Sequence, residues 1–134
     1  MGKRLPEGGP ESEAAMSQDK VFAMPFGKVF PLLIAKAERK GRTRAEVYQV
    51  TCWLTGYTPD QLETLLTGES DYGAFLRGAP CMNPNRGLIT GTVCGVKLAE
   101  ITDPVTLEMR RLDKLVDELA RGKPVEKILN RRDK

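Results

Sequence analysis

Between Asp103 and Gly122 the chain places Val105, Met109, Leu112, Val116 and Leu119 in alternating steps of four and three, and this stripe constrains the fold more than any other feature. Only a helix brings such positions onto one face, and Leu107 and Leu115 widen that face beyond a narrow coiled-coil seam. Thr102 or Asp103 caps its start, Pro104 occupies the first turn, and Gly122 ends a rod about 25 Å long at 1.5 Å per residue. A helix with a stripe this wide needs other helices to cover it. A chain of 134 residues is long enough to supply them within one domain.

The same grammar recurs upstream. Phe30, Leu33, Ile34 and Ala37 predict a helix from Phe30 to Gly41, with Pro31 in its first turn. Thr43 and Glu46 have the spacing of a capping box, in which hydroxyl and carboxylate each satisfy a backbone N–H. The helix that follows turns Val47, Val50, Thr51 and Leu54 inward, carries Trp53 beside them, and stops at Gly56. Thr58, Pro59, Asp60 and Gln61 open a third helix bearing Leu62, Leu65 and Leu66. A fourth, capped by Ser70 or Asp71, holds Tyr72, Phe75 and Leu76. Pro124 opens a short final helix with Val125, Ile128 and Leu129 facing inward.

Residues 86–98 are ambiguous. Propensity favours strand there, since three glycines and several β-branched residues weaken a helix. The spacing of Leu88, Ile89, Val93 and Val96 favours helix, with Gly87, Gly91 and Gly95 making one flat face for close backbone approach. We expect helix over strand. The fold class is thus mainly α, a compact multi-helix single domain over residues 20–131, with 86–98 helical or a short β segment. Residues 1–19 are expected to be a flexible leader, either a tag remnant or an extension before Met16, and residues 132–134 a frayed tail.

Three cysteines at wide spacing and no histidine argue against a disulfide framework, exclude histidine-based triads, and cannot close a four-ligand zinc site. No metal or cofactor is implied. The leader lacks an apolar signal core, and no stretch of about 20 apolar residues is present, so no membrane span is expected and the cytoplasm is the expected compartment.

Charge is segregated along the chain. Residues 28–44 hold six basic side chains against one acid and residues 121–134 six against two, whereas residues 45–80 hold one against five. Lys36, Arg39, Lys40, Arg42 and Arg44, together with Lys123, Lys127 and Arg131, form a phosphate-contacting surface if folding joins the two stretches. The competing and favoured expectation is a solvated helix face. Cys52, Gly56, Leu62 and Leu65 have helix-turn-helix spacing, but residues 59–69 carry three acids and no Lys or Arg, so that helix repels phosphate and the motif is read as packing.

Two further groups could meet a ligand. Asn83, Asn85 and Arg86 lie in a polar turn, and Cys94 sits between Val93 and Gly95; the alternative roles are a turn with an Asn cap and an inert buried thiol. An enzyme would have to use Cys94, Tyr48 or the carboxylates near Asp103, while Glu108 and Arg110 read as exposed helix surface. The leading expectation is a non-enzymatic interaction module of unknown partner, with a homodimer through the last long helix as one form. Sequence-indifferent nucleic-acid binding is the alternative, and a small-molecule enzyme stands third.

The segments CWLTGYT at 52–58, NPNRGLITGTVCGVKL at 83–98 and LDKLVDELARGK at 112–123 occur together with FxMPFGKVFPL and KAERKGRTRAEV. In this combination the chain resembles the short bacterial proteins grouped as domain-of-unknown-function family 2200, over about Lys20 to Arg131. The resemblance implies an uncharacterised bacterial cytosolic domain. It implies no catalytic residue, ligand or cofactor.

Overall fold

The hydroxyl and carboxylate spacings do close into reciprocal caps. In the computed structural model, which describes residues 21–93 and 95–130, the Thr43 hydroxyl accepts from Glu46 N–H while Glu46 accepts from Thr43 N–H, opening the helix Arg44–Thr55. Thr58 and Gln61 repeat the exchange ahead of Pro59–Thr67. Asp71, rather than Ser70, caps Tyr72–Arg77, and Asp103 caps Pro104–Ala120. We label the helices α1 (Phe26–Glu38), α2 (Arg44–Thr55), α3 (Pro59–Thr67), α4 (Tyr72–Arg77), α5 (Pro104–Ala120) and α6 (Val125–Leu129). The leader and the frayed tail lie outside the described residues.

Helix α1 begins at Phe26, four residues before the expected start, so Pro31 stands inside it rather than in its first turn. A proline there removes one intrahelical bond and is unfavourable alone. Burial overrides it: Phe26, Phe30 and Ala37 are fully enclosed, and Val29 and Ile34 nearly so. Phe26 stacks on Phe30 at 4.8 Å between ring centroids and meets Phe75 of α4 at 4.5 Å, while Tyr57 stacks on Phe75 at 5.2 Å and donates to its backbone oxygen. These rings tie α1, the end of α2 and α4 into one aromatic cluster.

Helix α5 is the central element, packing on α1, α2, α4 and α6. Its stripe is spent in that role, since Leu112, Leu115, Val116 and Leu119 are wholly buried and Met109 nearly so. A dimer through this seam would require opening the core. Helices α2 and α3, joined through residues 56–58, form the helix-turn-helix-like pair; Gly56 has φ +83°, and a Cβ there would strike the Cys81 backbone.

Residues 86–98 are not a helix. Pro84–Leu88 form a 3₁₀ turn, and Thr92–Val93 (β1) pair antiparallel with Val96–Lys97 (β2), in register Thr92 with Lys97 and Val93 with Val96. The reason lies in the glycines: Gly91 has φ +97° and Gly95 φ +78°, values a helix cannot hold, and Gly95 stands in the tight turn between Val93 and Val96, where a positive φ is required. Nor do they form a flat contact face, because a Cβ on Gly87 or Gly95 would meet nothing. The close backbone approach occurs instead at Gly27, where α1 passes against the Leu66 carbonyl of α3. The fold is therefore mainly α, a single domain with one small hairpin laid against α5.

Candidate interaction groove and polar pocket

The inward face of α2 fills the core, which leaves its other stripe to solvent. Ala45, Gln49, Cys52 and Trp53 recur at helical spacing along that stripe and, with Tyr48, Pro59 and Leu129, line an open groove of about 570 Å³. Ala45 and Gln49 are exposed, and Cys52 and Trp53 half-buried. The rim is charged. Tyr48 places its hydroxyl between Arg44 Nη2 and Glu63 Oε2, each at 2.7 Å, and the Arg44 guanidinium lies 5.1 Å from the Tyr48 ring centre. Burial pushes the Tyr48 phenol up, and with both partners engaged its hydroxyl is a fixed strut rather than a ready acid or base. Cys52 is a free thiol that burial also pushes up, which disfavours the reactive thiolate.

A second concavity lies between α1 and α5. About 190 Å³ in volume, it is walled by apolar groups from both helices, with Tyr72, Arg110 and Asp113 as its polar members. Burial pushes the Asp113 carboxyl up against the opposing pull of Arg110, at 3.3 Å, and of Lys36. Burial and the neighbouring Asp113 charge together hold the Tyr72 phenol well above its ordinary range. The Tyr72 hydroxyl and Arg110 Nε are both buried, and neither has a hydrogen-bond partner among the described residues.

The residues singled out from sequence are scattered. Asn83 is structural: its Nδ2 donates to Trp53 O, its Oδ1 accepts from Asn85 N–H, and its own N–H donates to Leu54 O, tying off the end of α2. Asn85 is exposed. Arg86 crosses to Glu108 at 2.8 Å, and Arg111 joins the same carboxylate at 3.0 Å. Cys94 lies outside the described residues. Glu108 and Arg110, expected on open surface, are largely covered, at 14% and 11% side-chain exposure, because the 83–91 segment and α1 pack over them.

Folding does bring the two basic stretches together, through Arg42 reaching the end of α5, yet much of their charge is answered by acids. Lys36 meets Asp117 at 3.5 Å, Arg42 meets Glu46 at 2.8 Å, Arg44 meets Glu63 at 3.3 Å and Lys123 meets Glu118 at 3.9 Å. Arg39, Lys40 and Lys127 form no ion pair among the described residues, and Arg131 lies outside them. Sequence reasoning missed the Tyr72–Asp113 pair, because 41 positions separate them and neither carries a local motif.

No helix among the described residues is long and apolar enough to cross a membrane. No curated protein matches the chain. Among solved structures, the crystal structure of uncharacterized protein SP1917 is similar, with 47% identity and a TM-score of 0.83 over 87% of this chain and 97% of that one. Residues 20–130 match the profile described as an uncharacterized protein conserved in bacteria, so the chain belongs to the DUF2200 family.

Proposed function

We propose that the protein is a non-enzymatic interaction module, and that the partner on its α2 groove is a second copy of the same chain. One observation carries this: Trp53, the single tryptophan of the sequence, is left half-buried on a groove wall two helical turns from the small, exposed Ala45. Tryptophan concentrates binding energy where a pocket can enclose it. A two-fold axis through Gln49 would run the two α2 helices antiparallel and set each Ala45 opposite Trp53 of the other copy, twice over. Small then faces large, which is the complementarity a self-paired helix stripe needs.

Among the described residues the groove offers no ready acid or base: the Tyr48 hydroxyl is bonded at both sides, and burial pushes the Cys52 thiol up. A cytoplasmic setting belongs to the same reading, because Cys52 and Cys81 are free thiols and Cys52 lies on the face a partner would cover. Sedimentation velocity over a wide concentration range tests the idea, with Trp53 fluorescence recorded alongside. We expect a rise in sedimentation coefficient and a blue shift with concentration, both abolished in Ala45→Arg while helicity is retained. A chain that stays monomeric at every concentration overturns it.

A further inference from the structure

A buried hydroxyl without a partner loses its hydration for no return, so native folds rarely leave one unless something else binds it. Tyr72 is such a case: 1% exposed, its Oη bonded to no group among the described residues, and bordering a cavity. Arg110, whose Nε also lacks an acceptor, walls the same space. Val29, Leu33 and Met109 supply the apolar sides, and Leu32, the exposed large hydrophobic residue of the described chain at 63%, stands at the rim. The volume of about 190 Å³ equals about six water molecules, below the range of drug-sized sites.

Charge narrows the choice further. The charged residues that line the pocket are Arg110 and Asp113 of α5, which pair with each other at 3.3 Å, one cation against one anion. A ligand bringing its own charge would upset that balance in a poorly solvated space. A carboxylate would in addition face Asp113. An oxygen acceptor on a neutral head meets the free Tyr72 donor without either penalty.

We infer that the Tyr72–Asp113 pocket binds a small neutral molecule with a carbonyl oxygen at one end, held by the Tyr72 hydroxyl, and a short branched aliphatic tail against Val29, Leu33 and Met109. This site is separate from the α2 groove, so its failure leaves the dimer proposal standing, and the reverse holds too. The probes are 3-methylbutanamide and 3-methylbutanoate, which share a tail and differ in charge. Binding is read on the full chain at neutral pH from the methyl NMR signals of Leu32, Leu33 and Met109.

The amide should shift these methyls with a Kd of about a millimolar, and the carboxylate should bind about tenfold or more weakly. Tyr72→Phe should weaken the amide about fivefold, the value of one hydrogen bond. Asp113→Asn should narrow or invert the preference for amide over carboxylate. Absence of amide shifts, equal affinity for both probes, or amide binding unchanged in Tyr72→Phe overturns the proposal. Should either variant fail to fold, the ratio of the two probes on the unaltered chain decides alone.

Discussion

Arg42 closes the carboxyl end of α5: its Nη1 donates to Leu119 O at 2.9 Å and also to Lys123 O at 2.8 Å, across 77 and 81 positions of sequence. Its other nitrogens hold Glu46 in a two-pronged pair at 3.1 and 2.8 Å. One guanidinium thus joins the cap of α2 to backbone carbonyls in the last turn of α5 and just beyond it, a fork that lysine cannot reproduce. Arg42→Lys should cost about 1–2 kcal/mol and Arg42→Ala about 2–3 kcal/mol in urea unfolding, since charged hydrogen bonds are the stronger kind. Equal stability of the arginine and alanine chains would show the fork to be idle.

The same pair sets an acid limb. Glu46 is held down to about 2 from the usual 4.5, first by its bond from Arg42 and then by the Thr43 N–H. A carboxyl depressed in the folded state contributes stability that is complete above the unfolded value and is lost as pH falls toward the folded one. Stability should therefore fall between about pH 5 and pH 2 partly on account of Glu46. Glu46→Gln should be less stable at neutral pH and show a flatter decline over that window. Parallel curves for the two chains would place the acid sensitivity elsewhere.

Gly56→Ala should destabilise by more than about 2 kcal/mol, because it combines a left-handed backbone with a clash. The φ is +83° and the added Cβ would lie 2.7 Å from the Cys81 oxygen. Gly41→Ala is the control: φ is again +83° but nothing lies within reach, so strain alone acts and the loss should be about 1 kcal/mol. Chemical denaturation of the two variants separates strain from contact.

Leu112→Ala, at the fully buried middle of α5, should cost about 2–5 kcal/mol through lost transfer energy and a residual cavity. Leu32→Ala, on a residue 63% exposed, should change stability by no more than about 0.5 kcal/mol. Thermal unfolding distinguishes them, and a large effect at Leu32 would mean that something covers it in solution.

Asn83→Ala should cost about 1–2 kcal/mol with no effect specific to any ligand, because its amide tethers Trp53 O and its carbonyl holds Asn85 N–H. Since Trp53 O is one of those bonds, the tryptophan emission should redden on substitution. An unchanged spectrum and stability would show the Asn83 side-chain bonds to be idle and leave the tie to α2 to the Asn83 N–H on Leu54 O.

The helix starts were readable from sequence because their partners are local. Thr43 with Glu46, Thr58 with Gln61, and Asp103 with Thr106 each close within three residues. The start of α1 was not, since Pro31 mimics a first turn and only the burial of Phe26 and Val29 extends the helix across it. Residues 86–98 misled for a related reason. Their apolar spacing fits a helix, but Gly91 and Gly95 adopt positive φ once the hairpin lies against α5, where Lys114 reaches Thr92 O at 3.0 Å. Of the expected site residues, Asn83, Arg86 and Arg42 make ties within the fold, whereas Trp53 and Tyr72, read only as helix faces, border the two concavities.

By itself, then, the sequence determined a mainly helical domain, its caps and the residues that must be inside, because capping and periodicity act over a single turn. Only the tertiary structure decided which polar groups were sealed in beside Asp113, which stripe of α2 stayed open beside Trp53, and which arginine reached across to α5. Those outcomes depend on side chains tens of positions apart meeting at a few ångströms, and no local pattern records such a meeting.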